Sequence, residues 1–323
     1  MRTWLTRGGL GTVLCLGLAG TAWAQAGQQA SIQGTVTDTS SASMPGVTVA
    51  AKNADTNVTS TAVTSEAGVY LLPALTAGKY TVTYTLSGFA PEKRDVDVRS
   101  GERLRLDLTL KVGTMTSEVQ VVAETPLLQT SSATRSTVID STVVDRLPLG
   151  TRNPYNNLVM LTPGVVGETS NLQSLCCRPF DNGGMDNIAI NGGVARTNSF
   201  TLNGATNTVR EGNNNGSLGF VPSPDAVQEV RVDSSSVDAS QGRTGGGTIA
   251  VTIKSGTNGF QESTSLNYRP KAFNQNILAN RLAGTVKPNI HLYDGAATLG
   301  GPVKMPGLYD GKNKTFFFVS YEY

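Results

Sequence analysis

Histidine is almost absent, His291 being the only one in 323 residues, and that scarcity closes off much chemistry. A zinc site assembled from two or three imidazoles cannot be built, and no Cys-x-x-Cys pair stands in for them. A Ser-His-Asp triad would have to use His291, which precedes the strand-like run Leu292-Tyr293-Asp294-Gly295, and there is no Gly-x-Ser-x-Gly turn. His291 therefore reads as a polar residue at a strand start, and the chain reads as neither an enzyme nor the holder of a metal or other cofactor. Cysteine is nearly as scarce. Cys15 follows Leu14, where a lipoprotein signal needs a small residue, so it fills an apolar segment. Cys176 and Cys177 are adjacent, and neighbours rarely reach disulfide geometry. They read as loop residues, or as a strained vicinal bridge in an oxidising compartment, but not as a disulfide framework. No apolar run approaches the roughly 20 residues of a membrane-spanning helix.

The first 24 residues carry Arg2 and Arg7, an uncharged run from Gly8 to Gly20, and Ala22-Trp23-Ala24 before Gln25. That is the layout of a secretory signal peptide cleaved between Ala24 and Gln25. Removing its two arginines takes the formal charge from +2 to zero, because the leader holds no acid. A neutral chain without a basic block lacks the electrostatic footprint of a nucleic-acid binder. The remaining length of about 300 residues suggests two domains or more.

Residues 29 to 111 alternate with period two. Tyr80, Val82, Tyr84 and Leu86 interleave with Thr81, Thr83 and Thr85, and Leu104, Leu106, Leu108 and Leu110 with Arg105, Asp107 and Thr109. Half-buried strands have this pattern, and turn residues such as Met44-Pro45-Gly46, Ala77-Gly78 and Ser100-Gly101 punctuate it. About seven short strands over roughly 80 residues, with no helical period, predict a β-sandwich. GTVTD at 34–38, PGVTV at 45–49, TSEAGVYLLPALTAGKYTVTYTLSGF at 64–89 and the closing LRLDLTLKVG resemble a carboxypeptidase-regulatory-like domain. The resemblance implies a transthyretin-like or carbohydrate-binding-like fold and no peptidase activity. Tyr70, Tyr80 and Phe89 are expected to fill the core, with a sugar-binding platform as the alternative.

Residues 112–135 read as a linker. Within it Glu118-Val119-Gln120-Val121-Val122-Ala123 is β-prone and followed by Pro126. It is similar to a TonB box, an extended segment whose free backbone groups can add to a partner's sheet, and it equally suits the first strand of the next domain. From Ser141 two helices are expected, one ending at Arg146 and one opening at Asn153-Pro154 and stopping at Thr162-Pro163-Gly164. LPLGTRNPYNNLVMLTPGV at 147–165, IAINGG at 188–193, SFTLNGATN at 199–207 and the stretch from Val221 to Phe260 resemble the plug domain of TonB-dependent receptors, Oar-like branch, over 136–258. In that segment Glu229 to Val232 and Thr248 to Ile253 read as strands. Glu229, Arg231, Arg243 and Lys254 are candidates for plug-to-barrel contacts, or are solvated strand faces. The Gly/Asn-rich stretch 203–219 reads as loop, either a connector or a ligand-facing surface.

Beyond Gly259 the strands lengthen. Phe317, Val319, Tyr321 and Tyr323 share one parity against Phe316, Phe318, Ser320 and Glu322, the transmembrane-strand pattern. GAATLGGPV at 295–303 and the closing DGKNKTFFFVSYEY resemble the opening barrel strands of Oar-like transporters. The expected fold is thus mainly β: signal peptide (1–24), sandwich (29–111), mixed α/β plug (136–258) and the start of an incomplete antiparallel barrel (259–323), as in a fragment. The resemblance implies an outer-membrane location, lipid contact, a TonB partner, and plug-gated transport of a siderophore, glycan, peptide or protein. The alternative is a secreted adhesion or carbohydrate-binding sandwich.

Overall fold

The computed structural model describes residues 29–113, 134–146, 155, 158–167, 188–195, 197–210, 216–235, 244–273, 276, 278–286 and 291–323. Ala24 and Gln25, the segment 118–123, Cys176 and Cys177, and Arg243 lie outside them.

The first unit contains eight strands: β1 (Ala30–Asp38), β2 (Thr48–Asn53), β3 (Thr59–Val63), β4 (Val69–Leu75), β5 (Gly78–Thr85), β6 (Glu92–Val98), β7 (Arg103–Arg105) and β8 (Leu108–Leu110). One sheet runs β4-β1-β7 with β8 also on β1, and the other runs β3-β2-β5-β6. Inward residues such as Ile32, Val36, Leu72, Tyr84, Leu104 and Leu110 form one apolar core between them, as the period-two pattern requires. The expected single strand from Leu104 to Leu110 is two short ones. Asp107 explains the break: its Oδ1 accepts the Thr35 N–H at 2.8 Å, standing in for a ladder carbonyl, while Leu106 N still donates to Gln33 O at 2.8 Å. Gly34 permits this crossing, since a Cβ there would lie 2.0 Å from the Leu106 carbonyl oxygen. Across the core, Tyr70 and Tyr84 meet edge to face with ring centroids 5.8 Å apart and hydroxyls 2.7 Å apart, and Tyr70 donates to Leu106 O at 2.7 Å.

The second unit opens with β9 (Arg135–Asp140) and α1 (Ser141–Arg146). Of the helix expected up to Thr162, the described part ends as a 3-10 turn, Val159–Leu161. Then come β10 (Val165–Gly167), β11 (Ile188–Ile190), β12 (Ser199–Leu202), β13 (Ala205–Thr206), β14 (Thr208–Arg210), β15 (Gly216–Leu218), β16 (Val227–Ser235) and β17 (Thr248–Ile253). The main sheet is mixed, in the order β13-β12-β17-β16-β9. Val230, Val232, Ile249, Val251, Ile139 and Phe200 pack on one of its faces. Asn203 and Gly204, at φ 47° and 76°, make the tight turn from β12 to β13.

The described residues of the stretch 203–219 are not the loop that its glycines and asparagines suggest. β13 pairs with β12, and β14 pairs with β15. Asn203 and Gly204 fill the turn, whereas the β-branched Thr208 and Val209 occupy a strand. Asn207 ties the hairpin down: its Nδ2 donates to the Tyr155 hydroxyl at 2.9 Å and to Phe220 O at 2.7 Å, and its Oδ1 accepts from Phe220 N at 2.9 Å.

The last unit holds β18 (Gln261–Arg269), α2 (Leu278–Leu282), β19 (Leu292–Pro302), the small hairpin of β20 (Lys304–Met305) and β21 (Tyr309–Asp310), and β22 (Phe316–Glu322). β18, β19 and β22 form an antiparallel sheet in that order.

Candidate functional site

The three long strands make a wall with two unlike faces. Cross-strand register places Tyr268 opposite Tyr293, and Leu299 between Glu262 and Val319. With Leu266 and Tyr321 they form an exposed, largely apolar face, on which Tyr268 and Tyr293 stack at 4.8 Å. Phe260 lies over Gly301 on this face beside Phe317, their rings 6.3 Å apart. The opposite, more polar face carries Ser263, Ser265, Asn267, Asp294, Ala296, Thr298 and Glu322, of which Asp294, Ala296, Thr298 and Glu322 are buried, with half-buried Phe316 and Phe318 toward one end. Ser263 and Thr298 hydroxyls lie 2.6 Å apart.

The second unit sits on the polar face. A 3-10 turn, Pro224–Ala226, leads into β16, and Ser265 of the wall donates to Asp225 Oδ2 at 2.9 Å. Lys254 N donates to Ala226 O at 2.8 Å where the chain leaves β17 for the wall. Two residues on, Gly256 runs against wall backbone so closely that a Cβ would lie 2.3 Å from Phe317 O and 2.7 Å from Gly301 O. Sequence reasoning missed Gly256, although the Gly-Thr-Asn-Gly run after a strand was its signal.

Of the residues expected to meet the barrel, Glu229 and Arg231 engage the sandwich. Glu229 Oε1 accepts from Ser100 N at 2.7 Å, and Arg231 Nη1 donates to Ser100 O at 3.0 Å. Arg231 also donates through Nε to Asp233 Oδ1 at 2.8 Å and through Nη2 to Ser136 Oγ at 3.2 Å. Burial raises the Glu229 carboxyl above its ordinary value against the opposing pull of the Ser100 N–H, Arg99 and Arg231, with Asp97 adding to the rise. Lys254 stands half-buried at the crossing to the wall. A second polar junction joins the sandwich to the wall's end: Asn258 N donates to Asp55 O at 3.0 Å, and Asn313 Oδ1 accepts from Asn57 at 3.1 Å and from Asn258 at 2.8 Å. No cluster of three or more metal-ligating side chains occurs among the described residues.

Alternation of an exposed, largely apolar face with a more polar one along antiparallel strands is the pattern of outer-membrane β-barrel strands. Comparison with known proteins agrees. Residues 31–111 match the carboxypeptidase regulatory-like domain, and residues 252–323 match an outer membrane beta barrel domain. Over 308 residues the chain is 27% identical to the TonB-dependent transporter Oar of Myxococcus xanthus, covering 91% of this chain and 26% of that protein. The chain thus spans about a quarter of the length of the curated relative it matches. Among solved structures it resembles the outer membrane transporter YddB of Escherichia coli, at 19% identity and TM-score 0.38 over 51% of this chain and 24% of that one. It also resembles the siderophore receptor PirA of Pseudomonas aeruginosa, at 15% identity and TM-score 0.31 over 52% and 26%. Those two scores are too low to carry weight. The chain is an outer-membrane protein, similar over most of its length to a TonB-dependent transporter, and that curated relative is a transporter rather than an enzyme.

Proposed function

We propose that the chain serves plug-gated transport across the outer membrane, with residues 136–258 as the plug and the strands after Gly259 as the wall it closes. The linker 112–135 brings Glu118 to Ala123 to the periplasmic side, where the energy-coupling protein TonB pairs with its backbone. A siderophore, glycan, peptide or protein binds outside and is admitted when the plug shifts. The observation that carries this reading is the seating of the second unit on the polar face of the wall, through Asp225, Ser265 and the Gly256 crossing, with the apolar face turned away. Arg243 and Lys254 are further candidates for holding plug against wall. The test is a pull-down of the full chain by the periplasmic domain of TonB. Deleting residues 118–123 should abolish capture, and equal capture by the deleted and intact chains refutes the coupling.

A further inference from the structure

The Arg231 side chain holds both the sandwich and the edge strand β9. Its guanidinium reaches Ser100 O in the turn between β6 and β7, Ser136 Oγ on β9, and Asp233 on its own strand. Ser136 Oγ donates to the same Asp233 Oδ1 at 2.6 Å, so the hydroxyl steadies Arg231 directly and through Asp233. Asp233 is 1% exposed and Arg231 has a side-chain exposure of 12%, which makes these charge-assisted bonds in a poorly hydrated place. Glu229, one step along the same face of β16, fixes the N–H of the same Ser100 whose carbonyl Arg231 holds. The two elements that converge on Arg231 are also the two that bracket residues 114–133 in the chain. The sandwich anchors one end at Val112, bridged to Phe89, and β9 anchors the other at Arg135.

We propose that Arg231, with Glu229, Asp233 and Ser136, is a latch that couples docking of the sandwich to pairing of β9, so that displacing either releases the other. Coupling of this kind is reciprocal: whatever loosens β9 weakens the hold on Ser100, and undocking the sandwich weakens the hold on β9 by the same factor. A protein that captures residues between the two anchors then acts on both at once. Only that trigger rests on the function proposed above, because the latch itself belongs to this chain alone.

Native-state hydrogen exchange on the full chain in detergent micelles tests it without any partner. In the unmodified chain the Ser100 amide and the β9 amides from 136 to 139 should open together, with one dependence on denaturant, while Val82 in the sandwich core opens separately. Ser136→Ala, which changes a residue of β9 and none of the sandwich, removes the hydroxyl's bonds to Arg231 and Asp233; it should speed exchange at Ser100 about tenfold, the scale of a lost hydrogen bond to a charged group, and leave Val82 unchanged. Acceleration confined to β9, or different denaturant dependences for Ser100 and β9 in the unmodified chain, overturns the latch. The second comparison decides the matter even where Ser136→Ala fails to fold. Failure of TonB capture with intact coupling would remove the trigger and leave the latch.

Discussion

The tyrosine pair in the sandwich core yields an asymmetric prediction. Tyr70 donates to Leu106 O, so in the shared contact with Tyr84 it must accept, and Tyr84 donates. Both rings are buried, at 2% and 0% exposure. Tyr84→Phe removes one hydrogen bond and strands no donor, which costs about 1 kcal/mol. Tyr70→Phe strands the Tyr84 hydroxyl and takes the phenolic donor from Leu106 O, for roughly 2–4 kcal/mol. In the double variant the stranded hydroxyl is gone, so its cost should fall below the sum of the singles by about 1–3 kcal/mol. Burial pushes Tyr70 up to about 12 and Tyr84 higher still. The folded values lie above the unfolded one, so this contribution is fully present below about pH 10 and is lost as pH rises through the folded value. Denaturant dependence of exchange at Val82, at neutral pH and again near pH 10.5, measures all of this. Equal costs for the single variants, or an additive double variant, would refute the hydrogen-bond assignment.

Glu229 predicts the opposite use of acid from most carboxylates. Its docked value is raised above the ordinary 4.5, chiefly by burial, so docking is strongest below that ordinary value and weakens as pH rises from there through the raised value. Protection of the Ser100 amide, corrected for intrinsic exchange, should increase on acidification, and Glu229→Gln should flatten the profile. Gly256→Ala forces a methyl onto the wall's backbone and should cost about 1–3 kcal/mol of seating. Faster proteolysis between β17 and β18, with the Val251 amide still protected, is the expected readout, and an unchanged cleavage rate would remove Gly256 from the seat.

The alternation of Tyr80 to Leu86 and of Leu104 to Leu110 was enough to place a sandwich, because burial of alternate residues in a two-sheet core leaves a direct imprint on residue type. The two-faced wall was legible for the same reason in Phe317 to Tyr323. The junctions were not. Ser100 meets Glu229 and Arg231 through its backbone N–H and C=O, which every residue but proline offers, so nothing in its side chain marks it. Glu229 and Arg231 could be recognised as polar strand residues with a task, but the partner depended on which surface the fold turned toward them. The break at Asp107 was hidden likewise, since a carboxylate replacing a ladder carbonyl leaves the period-two pattern intact.

The chemistry of the contacts bears on whether a seated sheet can move. Within the second unit, Val230, Val232, Ile249, Val251 and Phe200 bury apolar side chains worth about 1.5–3 kcal/mol each, so the sheet resists coming apart. Toward the wall it offers Asp225 to Ser265 and glycine backbone to glycine backbone, contacts that water can replace. Toward the sandwich it offers the buried charges Glu229 and Asp233 with Arg231, which regain hydration on leaving. The polar groups at these contacts have compensation from solvent when either surface separates, whereas the apolar side chains inside the sheet have none. A load applied near Arg135 should shift the sheet against the wall and undock the sandwich before it melts the apolar core, the order of events that the proposed gating requires.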